Sequence, residues 1–243
     1  MGRYLAICSY DGTSYYGFQK QVDGNTIQNE IENVISKILD TPTVIHSSGR
    51  TDAGVHALRQ PFHFDTTKEL DLDKFRYSMN CLLKDDIHIE SIQKVDDNFH
   101  ARINAKSKHY RYVINMGERD PFKIRYQYDL NKKLNLEDIV KASYLLIGKH
   151  NYQDFTTKEE DFENFNREIF DIKITSDNDI IILDFYGSGF MRYMIRIIVG
   201  TLIAIGLGKE NVDFINKHLD SRDRNIISYK APGNGLTLVD VKY

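Results

Sequence analysis

Thr43-Val44-Ile45-His46-Ser47-Ser48-Gly49-Arg50-Thr51-Asp52-Ala53-Gly54-Val55-His56-Ala57-Leu58-Arg59-Gln60-Pro61-Phe62-His63-Phe64-Asp65 runs from one strand pattern, through a glycine-framed loop, into another. Thr43 to Ser48 reads as a strand, and Pro61 to Asp65 alternates apolar with polar residues as a second one. Between them Gly49 and Gly54 bracket Asp52, with Arg50 close by. Glycine accepts positive φ and lets another molecule approach the backbone. Two readings of Asp52 are open: a carboxylate in a tight functional loop, or a cap for a following helix.

Working outward, Arg3 to Tyr10 is a strand pattern that ends at the turn Asp11-Gly12-Thr13. The polar loop Gly17-Phe18-Gln19-Lys20-Gln21 follows, with Phe18 as one exposed aromatic. Ile27, Ile31, Val34, Ile35 and Ile38 recur at helical spacing behind Asn25 and Thr26, either of which suits an N-cap. Leu72, Phe75, Met79, Leu82 and Leu83 mark a second amphipathic helix behind Asp71, and Asp86 to Val95 a further strand. The order is strand, helix, strand, loop, strand, helix, strand.

Residues 105–243 repeat that order more loosely. Lys108 to Asn115 is a strand and Arg125 to Leu130 a candidate one; Leu136 to Ile147 is a helix. Glu168 to Thr175 and Ile180 to Tyr186 are strands joined by a polar turn. Phe190 to Gly206 reads as a long helix, Asn211 to Leu219 as a short one, and Leu236 to Tyr243 as a last strand. Two similar mixed halves, 1–104 and 105–243, predict an α+β protein. Its mostly antiparallel sheet would be covered by helices, with a cleft between the halves.

The 243 residues suffice for a sizeable core, and 41% hydrophobic with 28% charged residues is ordinary for a soluble globular chain. Cys8 and Cys81 both sit in apolar patterns and read as reduced core thiols of a cytosolic protein. Met1 to Tyr4 enters a strand at once, so no leader is expected. The longest weakly polar run, Ile197 to Leu207, falls short of the ~20 residues a membrane helix needs. His46 and His63 sit in strand patterns and read as structural; no Ser/His/Asp set is legible.

The net charge of −3 conceals an uneven distribution. Arg102 to Lys133 holds nine Lys/Arg against Glu118, Asp120 and Asp129, together with Tyr110, Tyr112, Phe122, Tyr126 and Tyr128. Such a stretch can neutralise phosphates and stack bases, or be a solvated strand face. No acid lies between Asp184 and Glu210, while acids gather from Glu159 to Asp184. On the long helix, Met191, Met194, Ile195, Ile198, Leu202 and Ile205 form the buried side, and Arg192 and Arg196 share another face. Arg196, among apolar neighbours, needs either a partner from elsewhere or a path to solvent.

Gly49-Arg50-Thr51-Asp52-Ala53-Gly54-Val55-His56 resembles the signature of the tRNA pseudouridine synthase A family. Ser9-Tyr10-Asp11-Gly12-Thr13 with Gly17-Phe18-Gln19 is similar to the family's N-terminal segment, and Lys108-His109-Tyr110-Arg111-Tyr112 to its tyrosine strand. Gly187-Ser188-Gly189-Phe190 with Met194-Ile195-Arg196 and Val199-Gly200 resembles its arginine helix, and Ala231-Pro232 with Gly235-Leu236 its C-terminal turn. The five blocks stand in family order. The family has tryptophan where Phe18 stands and a small residue where Arg59 stands, so local RNA contacts are expected to differ there.

The resemblance implies two ferredoxin-like halves with a basic active-site cleft, and an isomerase that converts uridine to pseudouridine in tRNA, in the anticodon stem-loop. It implies Asp52 as catalytic carboxylate, Arg196 as its charge partner, Tyr110 as the plane that stacks on the flipped uracil, and Arg50 and Leu236 as substrate contacts. It implies no metal and no cofactor, a cytoplasmic location, no membrane, and a homodimer. The same chemistry on another tRNA or ribosomal RNA site is the alternative. From other classes, a non-catalytic RNA-binding protein fits the basic, Tyr-rich stretch, and a glycoside-type hydrolase would need a second placed carboxylate.

Overall fold

The computed structural model describes residues 1–22, 24–157, 164–221 and 224–243. Glu159, Glu160, Asp161 and Glu163, part of the acidic stretch noted in the sequence, lie outside the described residues. The described chain is α+β with five α-helices and mostly antiparallel strand pairing. It divides into two compact units, Met1–Lys106 with Thr237–Tyr243, and Ser107–Leu236.

The first unit is built on β1 (Gly2–Tyr10), an inner strand whose Tyr4, Leu5, Ala6, Cys8 and Tyr10 are buried. The helix α1 (Ile27–Leu39) begins where Thr26 accepts a hydrogen bond from the Asn29 N–H, so Thr26 is the cap. It buries Ile27, Ile31, Val34, Ile35 and Leu39. Burying these side chains stabilises the packing by about 1.5–3 kcal/mol each before entropy is counted. Buried Glu32 on the same helix accepts from Gln28 Nε2 at 2.8 Å and the Ile45 N–H at 3.1 Å, as a buried charge requires.

The strand expected over Thr43–Ser48 shrinks to β2 (His46–Ser47), whereas β3 (His56–Thr66) starts five residues before the expected Pro61. Antiparallel pairing to β1 draws His56 and Ala57 into the strand, with Ala57 opposite Tyr10. The helix α2 (Leu72–Leu82), capped by Asp71, buries Phe75 and Met79, and β4 (Ile87–Val95) pairs with the other edge of β1. Cys8 is buried as expected, but Cys81 is exposed, because α2 turns its Phe75–Met79 side inward. Phe18 is also the reverse of its expectation: it is 1% exposed and packs on Tyr10 at 6.0 Å.

In the second unit β5 (Ser107–Asn115) carries β6 (Tyr128–Asp129), the remnant of the candidate Arg125–Leu130 strand, on one edge. After α3 (Leu136–Leu145), capped by Asn135, come β7 (Gly148–Asn151), β8 (Asn166–Asp177) and β9 (Ile180–Gly187). The strands pair antiparallel as β5–β9–β8–β7. The helix α4 (Met194–Gly206) begins four residues later than its apolar pattern predicts. Tyr193 adopts φ 60° and ψ −1°, a left-handed conformation that breaks the helical run, so Arg192 precedes the helix and shares no face with Arg196. Gly206 at its end lies so close to Ile139 that a Cβ would sit 2.7 Å from Ile139 Cδ1, which is how α4 meets α3.

The short α5 (Asp213–His218) comes next, and β10 (Leu236–Lys242) then joins the first unit, pairing parallel to β3 through Thr237 opposite His56 and Leu238 opposite Ala57.

Candidate active site

The Asp52 loop lies in the first unit and is held by residues before and after it in the chain. Phe18 N–H donates to Thr51 O at 3.1 Å, Gly54 N–H to Tyr15 O at 3.3 Å, and Ser48 N–H to Pro61 O at 2.9 Å. The Tyr10 and Thr51 hydroxyls share a 2.8 Å hydrogen bond. Gln60, buried in β3, donates from Nε2 to Ser48 Oγ and Gly49 O. The N-terminal segment fits against this backbone only because it carries glycines. A Cβ at Gly12 would lie 2.0 Å from Val55 O, and one at Gly17, where φ is +98°, 2.6 Å from Thr51 O. Gly54 takes φ +73° as the loop turns, and Val55 N–H closes the turn onto Asp52 O at 3.2 Å.

The loop leads from Asp52 into β3 rather than into a helix, so the helix-capping reading of this carboxylate falls. Asp52 is half-buried and Arg50 exposed, on a loop whose neighbours Ser48, Thr51, Val55 and His56 are buried. His56 serves the structure of the loop, since its Nδ1 accepts the Gly12 N–H at 3.1 Å. Tyr15 donates its hydroxyl to Asp86 Oδ1 at 2.6 Å, and burial first, then that carboxylate, pushes its ionisation above the phenol range. Arg59, where the family has a small residue, is drawn into ion pairs with Glu90 and, at 3.4 Å, Asp240. Those acids make Arg59 part of the fold of this unit.

Tyr110, Arg196 and Leu236 belong to the second unit, which links them through Tyr112. Alternation along β5 puts Tyr110 and Tyr112 on one face and His109 and Arg111 on the other. Tyr110 is 7% exposed, and its ring meets Phe190 edge to face at 5.4 Å. Gly187 makes room for that aromatic, since a Cβ there would be 2.9 Å from Phe190 Cζ. Tyr112 is fully buried and donates to Pro232 O at 2.9 Å. Burial drives its hydroxyl far above the phenol range, with the Arg196 charge pulling the other way. Gly235 packs flat on this ring, and the buried Leu236 follows it.

Arg196 is half-buried, and its sequence poses the question of what holds it. Part of the answer is backbone: Arg196 Nε donates to Ala231 O at 2.8 Å, and the Ala231 N–H donates to Arg196 O at 2.9 Å. The approach depends on Gly200, where a Cβ would lie 2.8 Å from the Lys230 nitrogen. A carbonyl contact of this kind leaves no signature in residue type, so only the co-occurrence of Val199-Gly200 with Ala231-Pro232 hints at it.

The basic stretch of the sequence separates into two kinds of residue. Arg111 makes a two-pronged ion pair with Asp184 (2.9 and 3.1 Å), which also lies 2.6 Å from His109 Nε2. Donating to the Asp184 carboxylate holds the Arg111 guanidinium even more firmly in its charged form. Lys133 is paired with Asp179, and Lys123 lies 3.5 Å from Asp120. The loop at 119–126 presents Phe122, 91% exposed, with Arg119 and Arg125 also exposed. Asn234 pins it by donating to Ile124 O and Gln127 O.

A family model for tRNA pseudouridine synthases matches residues 6–104 and 142–243. The chain belongs to the tRNA pseudouridine synthase family. A tRNA pseudouridine synthase A of Exiguobacterium sp. (strain ATCC BAA-1283 / AT1b) is 43% identical over 243 residues, covering 100% of this chain and 98% of the relative. The protein of that name from Bacillus subtilis (strain 168) is 38% identical, over 97% of this chain and 96% of its own. A chain in a solved structure of a Cbf5–Nop10–Gar1 complex covers 99% of this chain and 58% of its own at TM-score 0.39 and 10% identity, too distant to bear on the fold. As a pseudouridine synthase this protein is an isomerase. The synthase model includes Arg50, Asp52, Arg196 and Leu236 and stops short of Tyr110. No described helix is long and apolar enough to cross a membrane, and no described group of His, Cys, Asp and Glu is arranged to hold a metal ion.

Proposed function

We propose that this synthase converts uridine to pseudouridine in the anticodon stem-loop of tRNA, with Asp52 as its catalytic carboxylate. The N1–C1′ bond breaks, the uracil turns, C5 bonds to C1′, the C5 proton leaves and N1 takes one up; atoms and electrons balance within the nucleotide. Asp52 acts on the nucleotide during the bond exchange and works ionised, a form that a neighbouring cation favours. Arg196, whose Nε donates to Ala231 O, is the cation assigned to that role in this proposal. Tyr110 receives the extruded uracil on its ring, replacing stacking lost when the base leaves its helix. Arg50 meets the RNA backbone, and Leu236 packs beside the base.

The observation that carries this reading is the Asp52 loop. A half-buried aspartate sits in a loop whose backbone is fixed by hydrogen bonds on both sides of it, beside an exposed arginine, in a chain of this family. Asp52→Ala should keep its fold and its tRNA affinity and release no tritium from 5-tritiated uridine in tRNA; substantial turnover would remove Asp52 from the role. Pseudouridine mapping in tRNA from cells with and without the gene locates the target positions. We also propose that the synthase works as a homodimer. Light scattering should then give twice the 28.3 kDa chain mass, and a value near one chain mass would refute pairing.

A further inference from the structure

Three cations converge on one aromatic ring at the start of α4. The guanidinium carbons of Arg192 and Arg196 lie 4.9 and 5.2 Å from the centre of the Tyr193 ring, and Lys230 Nζ lies 4.6 Å from it. The negative face of a ring attracts each cation, but three like charges gathered over so small an area repel one another. The segments that bring them together are acid-free, with no Asp or Glu between Asp184 and Glu210 or between Asp223 and Asp240. Arg192 and Lys230 are exposed, and neither has a carboxylate partner among the described residues.

The arrangement is held by backbone. The paired hydrogen bonds of Arg196 with Ala231, together with the close approach at Gly200, bring Lys230 alongside the helix. Tyr193 itself adopts the left-handed conformation, uncommon for a bulky residue, and Arg192 Nη2 donates to its hydroxyl at 3.3 Å.

We propose that Arg192, Tyr193 and Lys230 form a phosphate subsite that grips a phosphodiester of the substrate RNA beside Arg196. The guanidinium fork of Arg192 and the ammonium of Lys230 suit the oxygens of one phosphate, whose charge offsets the mutual repulsion of the cations. The inference rests on the synthase reading above and adds the RNA backbone as the ligand of a site outside the proposed catalytic set.

The test measures binding of an unmodified tRNA transcript across a salt series, with pseudouridine formation followed on the same samples. Arg192→Gln and Lys230→Gln should each weaken binding at least threefold and flatten the plot of log affinity against log salt by about 0.9. KM should rise by a larger factor than kcat falls. Tyr193→Leu, which removes the ring but keeps the strained backbone, should behave like the charge variants. Exposed Lys149→Gln is the control for losing any surface charge. Wild-type slopes in both charge variants, or changes no larger than those of Lys149→Gln, would overturn the subsite. If the wild-type protein binds tRNA but makes no pseudouridine, the catalytic reading falls and the salt slopes still decide the subsite.

Discussion

Gly17 shows how a residue without a side chain can govern a site it does not react in. Its φ of +98° and the 2.6 Å gap its Cβ would leave to Thr51 O both forbid alanine without movement of the Asp52 loop. Gly17→Ala should therefore cost about 2–4 kcal/mol in urea unfolding. The turnover rate should fall as well, because the loop must shift before the methyl fits. An unchanged denaturation midpoint would show that the loop yields freely.

At the scale of elements, Tyr112 joins β5 to the turn that carries Ala231, and thus to Arg196. Tyr112→Phe removes the donor to Pro232 O from a buried position, which should cost about 1–2 kcal/mol and lower Tm by about 2–6 °C. Loss of rate beyond that of a general destabilisation would show that the turn positions Arg196. The elements themselves were largely legible in the sequence, because α1, α2, α3, β1 and β4 each repeat apolar residues at their own period. The misreadings had a tertiary cause. The apolar run into α4 concealed the left-handed Tyr193, β3 was lengthened by its partner strand, and Phe18 looked like a loop aromatic because Tyr10 lies eight residues away. The loop of the candidate site could be found from its glycines and lone carboxylate. Its supports could not, since Gly12 and Gly17 meet it through backbone and Gln60 through a side-chain amide, contacts that leave no periodic trace.

At the scale of the whole molecule, acid should weaken the fold through its first unit. His63 is buried, stacks on His46 at 5.0 Å and accepts the Ala101 N–H on Nδ1 at 3.2 Å. Burial, then the neighbouring charges of His100 and Arg3, pushes its pKa down to about 4. An unfolded histidine titrates near ~6.5, so between those values the unfolded chain binds the extra proton. Stability is then fully present above about pH 6.5 and is lost progressively as pH falls toward 4, by on the order of 2 kcal/mol. Urea midpoints at pH 7 and pH 4.5 should differ accordingly, and His63→Gln should narrow the difference. An equal loss in that variant would place the acid sensitivity elsewhere.

The return of β10 to the first unit also bears on how the protein is made. Thr237 and Leu238 pair with His56 and Ala57, immediately after the Asp52 loop, yet a ribosome delivers them only after every residue of the second unit. At ~5–20 residues per second, the first unit spends several seconds of synthesis with that strand edge unpaired. The strand that follows the Asp52 loop thus gains this partner only after the second unit has been made, so a nascent chain paused within the second unit would hold the loop without its finished surroundings.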